Sequence, residues 1–222
     1  MANLFFCDYY TVSHRQSLQT SDVPEYTIKI IDDLGTIPAA EWDQLAGQNP
    51  TLKHAFLQAM IDTGATDAST GWLPQFITLY REIEGTPCLV GAMPLYLKTN
   101  SYGEYVFDWA WAEAYARAGL EYYPKLLVAV PFTPCGGTRL LAPAATDREI
   151  LINVLLQIAA QSRVSSIHIL FPDDAEHASL IKAGFMSRTS VQFHWLNTSV
   201  GYQCFDDFLA TMSHDKRKKI KQ

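Results

Sequence analysis

The apolar positions in the first third of the chain follow strand spacing and then helical spacing. The run TIKII (27–31) predicts a strand. Pro38 fits the first turn of a helix, on which Trp42 and Leu45 would share one face. A second helix is predicted from apolar residues that recur at helical spacing before Gly64, which would end it: Phe56, Leu57, Met60 and Ile61.

Two β-rich segments follow, LPQFITLYR (73–81) and CLVGAMPLYLK (88–98). The turn REIEGTP between them is short and contains a glycine. Strands joined in this way are typical of an antiparallel hairpin.

The middle of the chain predicts a helix, a strand and a tight loop. Asp108 fits the N-cap position of the helix WAWAEAYARA (109–118), which Gly119 would end. The apolar run KLLVAV (125–130) predicts a short buried strand. The two prolines and two glycines of PFTPCGG (131–137) predict a tight loop.

The next helix is the most sharply patterned one. Thr146 and Glu149 have the spacing of a capping box at its start. Four apolar residues then form a helical stripe: Leu151, Val154, Leu155 and Ile158. The segment SSIHILF (165–171) predicts the strand that follows.

The last part predicts a helix, a strand and a terminal helix. Asp173 and Glu176 would open the first helix and Gly184 would close it. MSRTSVQFHW (186–195) predicts a strand. The segment 204–222 predicts one continuous helix from its apolar stripe, namely Phe205, Phe208, Leu209 and Met212.

This order of elements predicts the α/β class, of the α+β type, with a mixed, mainly antiparallel sheet flanked by helices. Three parts are expected along the chain. Residues 1–24 form a poorly ordered lead-in, 25–200 form a single domain, and 201–222 form a helix with a basic end.

The composition indicates a globular chain and excludes some functions. The chain has 222 residues, of which 48% are hydrophobic and 18% are charged. Its formal charge of -6 argues against a general nucleic-acid-binding domain, because phosphate binding requires a basic face. No apolar run approaches the ~18 residues of a membrane span. The four cysteines are scattered and include no CxxC pair, so we expect reduced thiols and a cytoplasmic protein.

Aromatic residues are concentrated in one segment. Eight lie within 22 residues: Tyr102, Tyr105, Phe107, Trp109, Trp111, Tyr115, Tyr122 and Tyr123. Charged residues are interleaved with them, which favours a binding cleft over a core. The alternative is an amphipathic helix packed on a sheet. We predict that the segment 98–139 lines the main cleft, with these residues binding substrate: Tyr102, Trp109, Tyr115 and Tyr123.

Acidic and basic residues of the same segment are the candidates for chemistry. Asp108 and Glu104 are the candidate catalytic residues, because carboxyl groups can act as general acids or bases. Asp108 has a structural alternative as a plain N-cap. Lys98, Lys125 and Arg139 are candidates for neutralising a phosphate or carboxylate of the substrate, or are ordinary surface charges.

The remaining histidines and cysteines predict little chemistry. The histidines show no HExxH or comparable ligand spacing, so no metal site is expected. His168 and His194 lie on predicted strands, either as neighbours or as ordinary core or edge residues. Cys135, beside two glycines, is either a thiolate nucleophile or a small buried residue in a tight loop.

Two stretches of the chain resemble known protein families. IHILFPDDAEHASLIKAGFMSR (167–188) resembles the late strand, helix and final strand of the GNAT acyltransferase fold. A second set of motifs is spread over about residues 40–222, namely TGW (70–72), GAMPLYLKTNSYGEYVFDWAWAEAYARAGLEYYPKL (91–126), PFTP with RLL (131–141) and DKRKKI (215–220). In these motifs the chain resembles the FemAB-like family of peptidoglycan biosynthesis or recognition proteins, which is related to Fem-type peptidyltransferases.

The resemblance implies a GNAT-like fold and an N-acyltransferase that moves an acyl or aminoacyl group to an amine, with a peptidoglycan precursor as acceptor. The alternative is a non-catalytic module that recognises such a precursor or a peptide. The family also implies a second GNAT-like half, so this chain is expected to be a first half with little activity alone. The Q/R-x-x-G-x-G/A loop that holds coenzyme A is absent, so no cofactor is expected in this half. An aminoacyl-tRNA or acyl-CoA donor would need the second half.

The terminal helix ends in a run of cations. Lys216, Arg217 and Lys218 are candidate phosphate contacts for a tRNA or another nucleotide-bearing donor. The alternative is a solvated helix end, where cations interact favourably with the helix dipole.

Overall fold

The structure, a computed structural model, describes residues 25–189, 191–193, 197 and 201–222, together with the backbone of 10–11. The predicted lead-in at 1–24 therefore lies outside the described residues, apart from that short strand. The chain divides into two compact units, 1–187 and 188–222. The domain boundary predicted at residue 200 stays a prediction.

The first unit alternates strands and helices. Its described strands are β1 (Tyr10–Thr11), β2 (Tyr26–Ile31), β3 (Trp72–Pro74), β4 (Phe76–Ile83), β5 (Thr86–Met93), β6 (Leu95–Lys98), β7 (Lys125–Val128) and β8 (Ile167–Ile169). Its described helices are α1 (Ala39–Ala46), α2 (His54–Asp62), α3 (Trp109–Arg117), α4 (Ala145–Gln161) and α5 (Asp174–Lys182). The second unit contains α6 (Phe205–Ala210) and α7 (His214–Lys221).

The strands form two four-stranded sheets, in the orders β1-β2-β4-β5 and β3-β6-β7-β8. All pairs are antiparallel except β7 with β8, which are parallel. The predicted fold class is confirmed: the fold is mixed α/β with mostly antiparallel sheets flanked by helices, consistent with a GNAT-like α+β fold.

The predicted hairpin is confirmed, but each of its long segments contributes to both sheets. The breaks fall at Gln75 and Pro94, between β3 and β4 and between β5 and β6. Pro94 has no N–H with which to continue a ladder. The backbone N–H of Gln75 donates to the carbonyl of Leu95 at 2.8 Å, which links the two break points. One predicted sheet therefore becomes two.

The second sheet separates two apolar clusters. One face carries Leu95 and Val128, and their cluster includes residues of α4. The opposite face carries Tyr96 and Leu127, and their cluster includes residues of α1 and α2. This alternation follows from the two-residue period of strands.

The predicted capping box is wrong. Helix α4 begins at Ala145, so Ala144 holds the N-cap position and Thr146 lies inside the first turn. A buried carboxylate anchors this helix start instead, because Asp147 accepts a hydrogen bond from the Tyr26 hydroxyl at 2.8 Å.

Two predictions near the C-terminus also need correction. The described residues of the segment 186–195 form no strand, and Met186 and Phe193 are 83% and 100% exposed. A strand pattern without a surface to bury against gains nothing from pairing. The single terminal helix is two helices, because α6 ends at Ala210 and the Thr211 hydroxyl hydrogen-bonds the Phe208 carbonyl.

In the described part of the chain, no helix is both long enough and apolar enough to cross a membrane.

Candidate functional site

Two lysines face each other across neighbouring strands at one end of the second sheet. Lys98 on β6 is paired with Trp72 on β3 and with Lys125 on β7. Both lysine side chains are fully buried. Like charges directly opposite in a sheet are unfavourable, and buried ammonium groups need compensating partners. Because the strand register places the two lysines opposite each other, negatively charged partners are needed at this point of the sheet.

The loop before α3 supplies that charge to Lys125. The Lys125 ammonium donates to Glu104 Oε2 at 2.8 Å, to Asp108 Oδ2 at 2.5 Å and to Ser101 Oγ at 3.0 Å. An ammonium has three donors, so all of its capacity is used by the protein. Lys125 is consequently a fixed ion-pair centre.

Lys98 is held much less completely. Its ammonium lies 4.0 Å from the centre of the Trp72 ring and donates to the Tyr102 carbonyl at 3.3 Å. Burial, reinforced by the charge of Lys125, lowers the pKa of Lys98 to about 7, although the nearby carboxylates act in the opposite direction. A pKa of about 7 means that the charged and uncharged forms of this amine are similar in free energy near neutral pH.

The two carboxyl groups have different proton affinities. Burial alone would raise the pKa of Asp108, but hydrogen bonds from Lys125, Ser101 and Tyr122 outweigh it, so the net shift is downward. Burial raises the pKa of Glu104 in spite of its pairing with Lys125. Of the two groups, Asp108 is thus the one whose pKa is shifted in favour of the ionised form.

Each carboxyl group keeps one buried oxygen that no hydrogen-bond donor of the described residues reaches. These atoms are Glu104 Oε1 and Asp108 Oδ1. The Glu104 side chain is 0% exposed and that of Asp108 is 8% exposed. Unpaired buried acceptors are uncommon in folded proteins. Here two of them belong to acidic residues that both bind Lys125. Of the two side chains, that of Asp108 retains a small exposed fraction, but its Oδ1 atom is itself buried.

Asp108 stands at the N-cap position of α3, but its side chain makes no capping hydrogen bond. Its Oδ2 atom instead accepts from the Tyr122 hydroxyl at 2.7 Å as well as from Lys125. The interpretation of Asp108 as a plain N-cap is therefore wrong.

Sequence reasoning missed the residues that connect this centre to β8. The Tyr122 hydroxyl lies 3.4 Å from His168 Nε2, which lies 3.0 Å from Ser166 Oγ. Ser101 completes the set by contacting both Lys125 and the Tyr123 hydroxyl. The polar residues of SSIH (165–168), at the start of an otherwise apolar strand, were the sequence signal that could have indicated these contacts. His194, the suggested neighbour of His168, lies outside the described residues.

Glu104, Asp108 and His168 offer ligand atoms that all lie within 4.8 Å of one another, a grouping that could hold a metal ion. The Lys125 ammonium already bridges the two carboxylates, and Lys98 adds a second cation nearby. A divalent ion would have to compete with both lysines. The donor set therefore fits a metal poorly.

The predicted substrate-binding aromatics surround this centre. Tyr115 and Tyr123 pack edge-to-face on Tyr122, with ring centroids 5.1 and 5.0 Å away. Tyr102 and Trp109 form another edge-to-face pair at 5.2 Å, and they are 67% and 45% exposed. Helix α3 has no fully buried residue, while Ala112 and Tyr115 are half-buried.

Arg139 lies in a different set of contacts. Its fully buried guanidinium donates to four backbone carbonyls, those of Cys135, Gly137, Thr138 and Leu170. The structure thus brings Lys98 and Lys125 together with Glu104 and Asp108 but leaves Arg139 out. Cys135 is exposed, which corrects its interpretation as a buried residue.

The predicted phosphate-binding cations lie in the second unit. Lys216, Arg217 and Lys218 belong to α7, which buries no residue. The neighbouring Lys221 pairs with Asp206 of α6 at 3.3 Å.

The comparisons with known proteins give a family for this chain. The FemAB-like family, described as peptidoglycan biosynthesis/recognition, matches residues 33–222. No curated protein and no solved structure gives a significant match. The match covers most of the chain and includes Lys98, Glu104, Asp108 and Lys125, which together form what we call the lysine–carboxylate centre. We conclude that this protein belongs to the FemAB-like family.

Proposed function

We propose that this protein is an N-acyltransferase that moves an acyl or aminoacyl group to an amine of a peptidoglycan precursor. Membership of the FemAB-like family supports a peptidoglycan-related role and a transferase. The observation that carries the proposal is the lysine–carboxylate centre, in which Asp108 keeps an unpartnered oxygen beside a lysine of lowered pKa.

The reaction requires the movement of one proton. A new bond forms between the acceptor nitrogen and the acyl carbon, while the bond from that carbon to the oxygen or sulfur of the donor breaks. The nitrogen loses a proton and the leaving group gains one. A group that exchanges protons near neutral pH is best suited to carry it.

The residues of the centre have different roles in this proton transfer. Asp108 Oδ1 accepts a hydrogen bond from the acceptor amine and orients it, since this carboxylate stays ionised. Lys98, with a pKa of about 7, takes up the proton. Lys125 and Glu104 hold Asp108 in place. Of these groups, Lys125 acts as a positioning residue because its donors are all used within the protein.

The donor contact is proposed for α7. Aminoacyl-tRNA or acyl-CoA carries phosphates, and Lys216, Arg217 and Lys218 are cations on an exposed helix. If they bind phosphate, the affinity for donor falls as salt rises. The double variant Arg217→Ala with Lys218→Ala should flatten that salt dependence without unfolding the protein. A donor affinity that is indifferent to salt would contradict this assignment.

The direct test of the function is a transfer assay. The protein, together with any second GNAT-like half that belongs to it, is incubated with a peptidoglycan precursor and either acyl-CoA or aminoacyl-tRNA, and the mass gain of the acceptor is followed. Acylation of an acceptor amine that is lost in Asp108→Asn supports the proposal. No mass gain with any donor, in a protein that binds the precursor, would contradict it.

A second candidate is a non-catalytic recognition module. It is favoured by the burial of Lys98, Glu104 and Lys125, which keeps all three side chains away from solvent. Of the four charged side chains, that of Asp108 alone retains a small exposed fraction. In that case the precursor binds, and Asp108→Asn changes its affinity without any turnover to lose.

A further inference from the structure

Two exposed aromatic residues lie close to Asp108 along the chain. Tyr102 and Trp109 meet edge-to-face, with their centroids 5.2 Å apart and an interplanar angle of 60°. Trp109 directly follows Asp108, and the Tyr102 carbonyl accepts hydrogen bonds from Lys98 and from the Trp72 indole. A ligand on these rings would therefore lie beside the proposed transfer centre.

The fold does not need these rings for its core. Tyr102 is 67% exposed and Trp109 is 45% exposed. The loop between them contains Tyr105 and Phe107 with φ of 62° and 51°, in the left-handed region, and both side chains are exposed. Such a conformation costs about 1–3 kcal/mol per non-glycine residue. Burial of these two side chains does not offset that cost; the ion pairs of Glu104 and Asp108 with Lys125 hold the same loop. The loop conformation therefore leaves the aromatic rings exposed and available to a ligand.

The surrounding charges indicate what kind of ligand fits. Residues 98–139 contain four cations: Lys98, Arg117, Lys125 and Arg139. Three of them are fully buried, and the exposed Arg117 pairs with Glu113 at 3.5 Å. Glu113 and Glu121 are exposed. A phosphate or an anionic lipid headgroup would meet carboxylates here and no available cation.

The type of apolar side chain narrows the ligand further. The exposed large apolar residues of 102–120 are aromatic, with Leu120 the one aliphatic. Aromatic rings with polar tips, set among carboxylates, suit the C–H face and hydroxyl groups of a sugar ring better than an acyl chain.

We propose that Tyr102 and Trp109 form a subsite for an uncharged sugar ring of the acceptor, an N-acetylated amino sugar of the kind found in peptidoglycan. The bound ring places the acceptor amine at Asp108. This inference rests on the proposed function for the identity of the acceptor, but the subsite is a separate property that can be measured without turnover.

The test uses a tetramer of N-acetylglucosamine as the probe, with binding followed by calorimetry and by tryptophan fluorescence. Trp109→Ala and Tyr102→Ala should weaken binding by about tenfold or more, and Trp109→Phe should retain most of it. Trp111→Ala is the matched control, since Trp111 is 46% exposed and lies two residues further along α3, on another helical face. It should change the affinity by less than about twofold.

Several results would overturn the subsite. They are an absence of tetramer binding, an equal loss of affinity in Trp109→Ala and Trp111→Ala, or binding to phosphatidylglycerol vesicles that Trp109→Ala abolishes. Circular dichroism of each variant establishes that the helix is kept, which is expected because α3 buries no residue.

Asp108→Asn separates this inference from the proposed function, because the tetramer has no amine to contact Asp108. Tetramer binding that survives in Asp108→Asn, together with no transfer by the wild type, would sink the proposed function and leave the subsite standing. Transfer to a precursor with a KM that Trp109→Ala leaves unchanged would contradict the subsite and leave the proposed function standing.

Discussion

Two of the buried charged centres in the first unit use their partners differently. In the first centre, the Arg139 guanidinium donates its hydrogen bonds to backbone carbonyls. The Glu176 carboxylate accepts hydrogen bonds from the N–H groups of Arg139 and Leu140 and from the Thr138 hydroxyl. In the other, Lys125 binds the side chains of Glu104 and Asp108.

The difference lies in what remains unpaired. No side-chain oxygen of Glu176 is without a partner, whereas Glu104 and Asp108 each keep one. Burial raises the pKa of Glu176 and lowers that of Arg139. Shifted pKa values therefore occur in both centres, and the unpaired oxygens of Glu104 and Asp108 distinguish the candidate site from a structural ion-pair cluster.

The largest effect is expected from Lys125→Met. This change leaves two buried carboxylates without their shared cation, and breaking a buried pair costs about 3–5 kcal/mol. Urea unfolding should show that loss in the free energy of unfolding. A loss below about 1 kcal/mol would mean that the carboxylates find other partners, and the ion-pair centre would not be what holds the loop.

A smaller loss of stability is expected from Glu176→Gln. The amide retains one acceptor oxygen, so part of the contact with Arg139 N and Leu140 N is lost, at about 1–3 kcal/mol. Glu113→Gln, on the exposed face of α3, is the control and should change stability by less than about 0.5 kcal/mol. Transfer activity per folded molecule should be unchanged in Glu176→Gln, and its loss would remove the distinction between the two centres.

Lys98→Met should change how stability depends on pH. The folded pKa of about 7 lies below the ordinary value of 10.5, so between these values the unfolded chain binds more protons. Stability of the wild type should therefore rise with pH in this window, by at most about 1.4 kcal/mol per pH unit for one proton. The difference between wild type and Lys98→Met isolates that slope. Parallel pH curves would show that Lys98 keeps its ordinary pKa.

Asp108→Asn should have the smallest effect on stability, about 1 kcal/mol or less. The amide oxygen can still accept from Lys125 and Tyr122, and no capping bond is lost. Thermal unfolding would check this. A loss as large as that of Lys125→Met would show that the carboxylate serves the fold first.

The sequence predicted the local parts of this picture well. The hairpin, the apolar stripe of α4 and the Asp173 cap, which accepts from the Glu176 N–H, depend on neighbouring residues alone. The crowding of Glu104 and Asp108 among aromatic residues was also visible, because these residues lie close together along the chain.

What could not be predicted depends on long-range pairing. The opposition of Lys98 and Lys125 is set by the register of β6 on β7, and His168 reaches Tyr122 only because β8 lies parallel to β7. An arginine is ordinarily expected at the surface, and only the folded loop shows that the Arg139 guanidinium is bound to backbone carbonyls.

The most direct test of the proposed centre compares transfer rates of the wild type and Asp108→Asn at equal folded concentration, with Glu176→Gln measured alongside. If Asp108 orients the acceptor amine, Asp108→Asn loses about 10²–10⁴-fold in rate while Glu176→Gln keeps the wild-type rate. Asp108→Asn turning over as fast as the wild type would contradict the assignment of the lysine–carboxylate centre to acyl transfer.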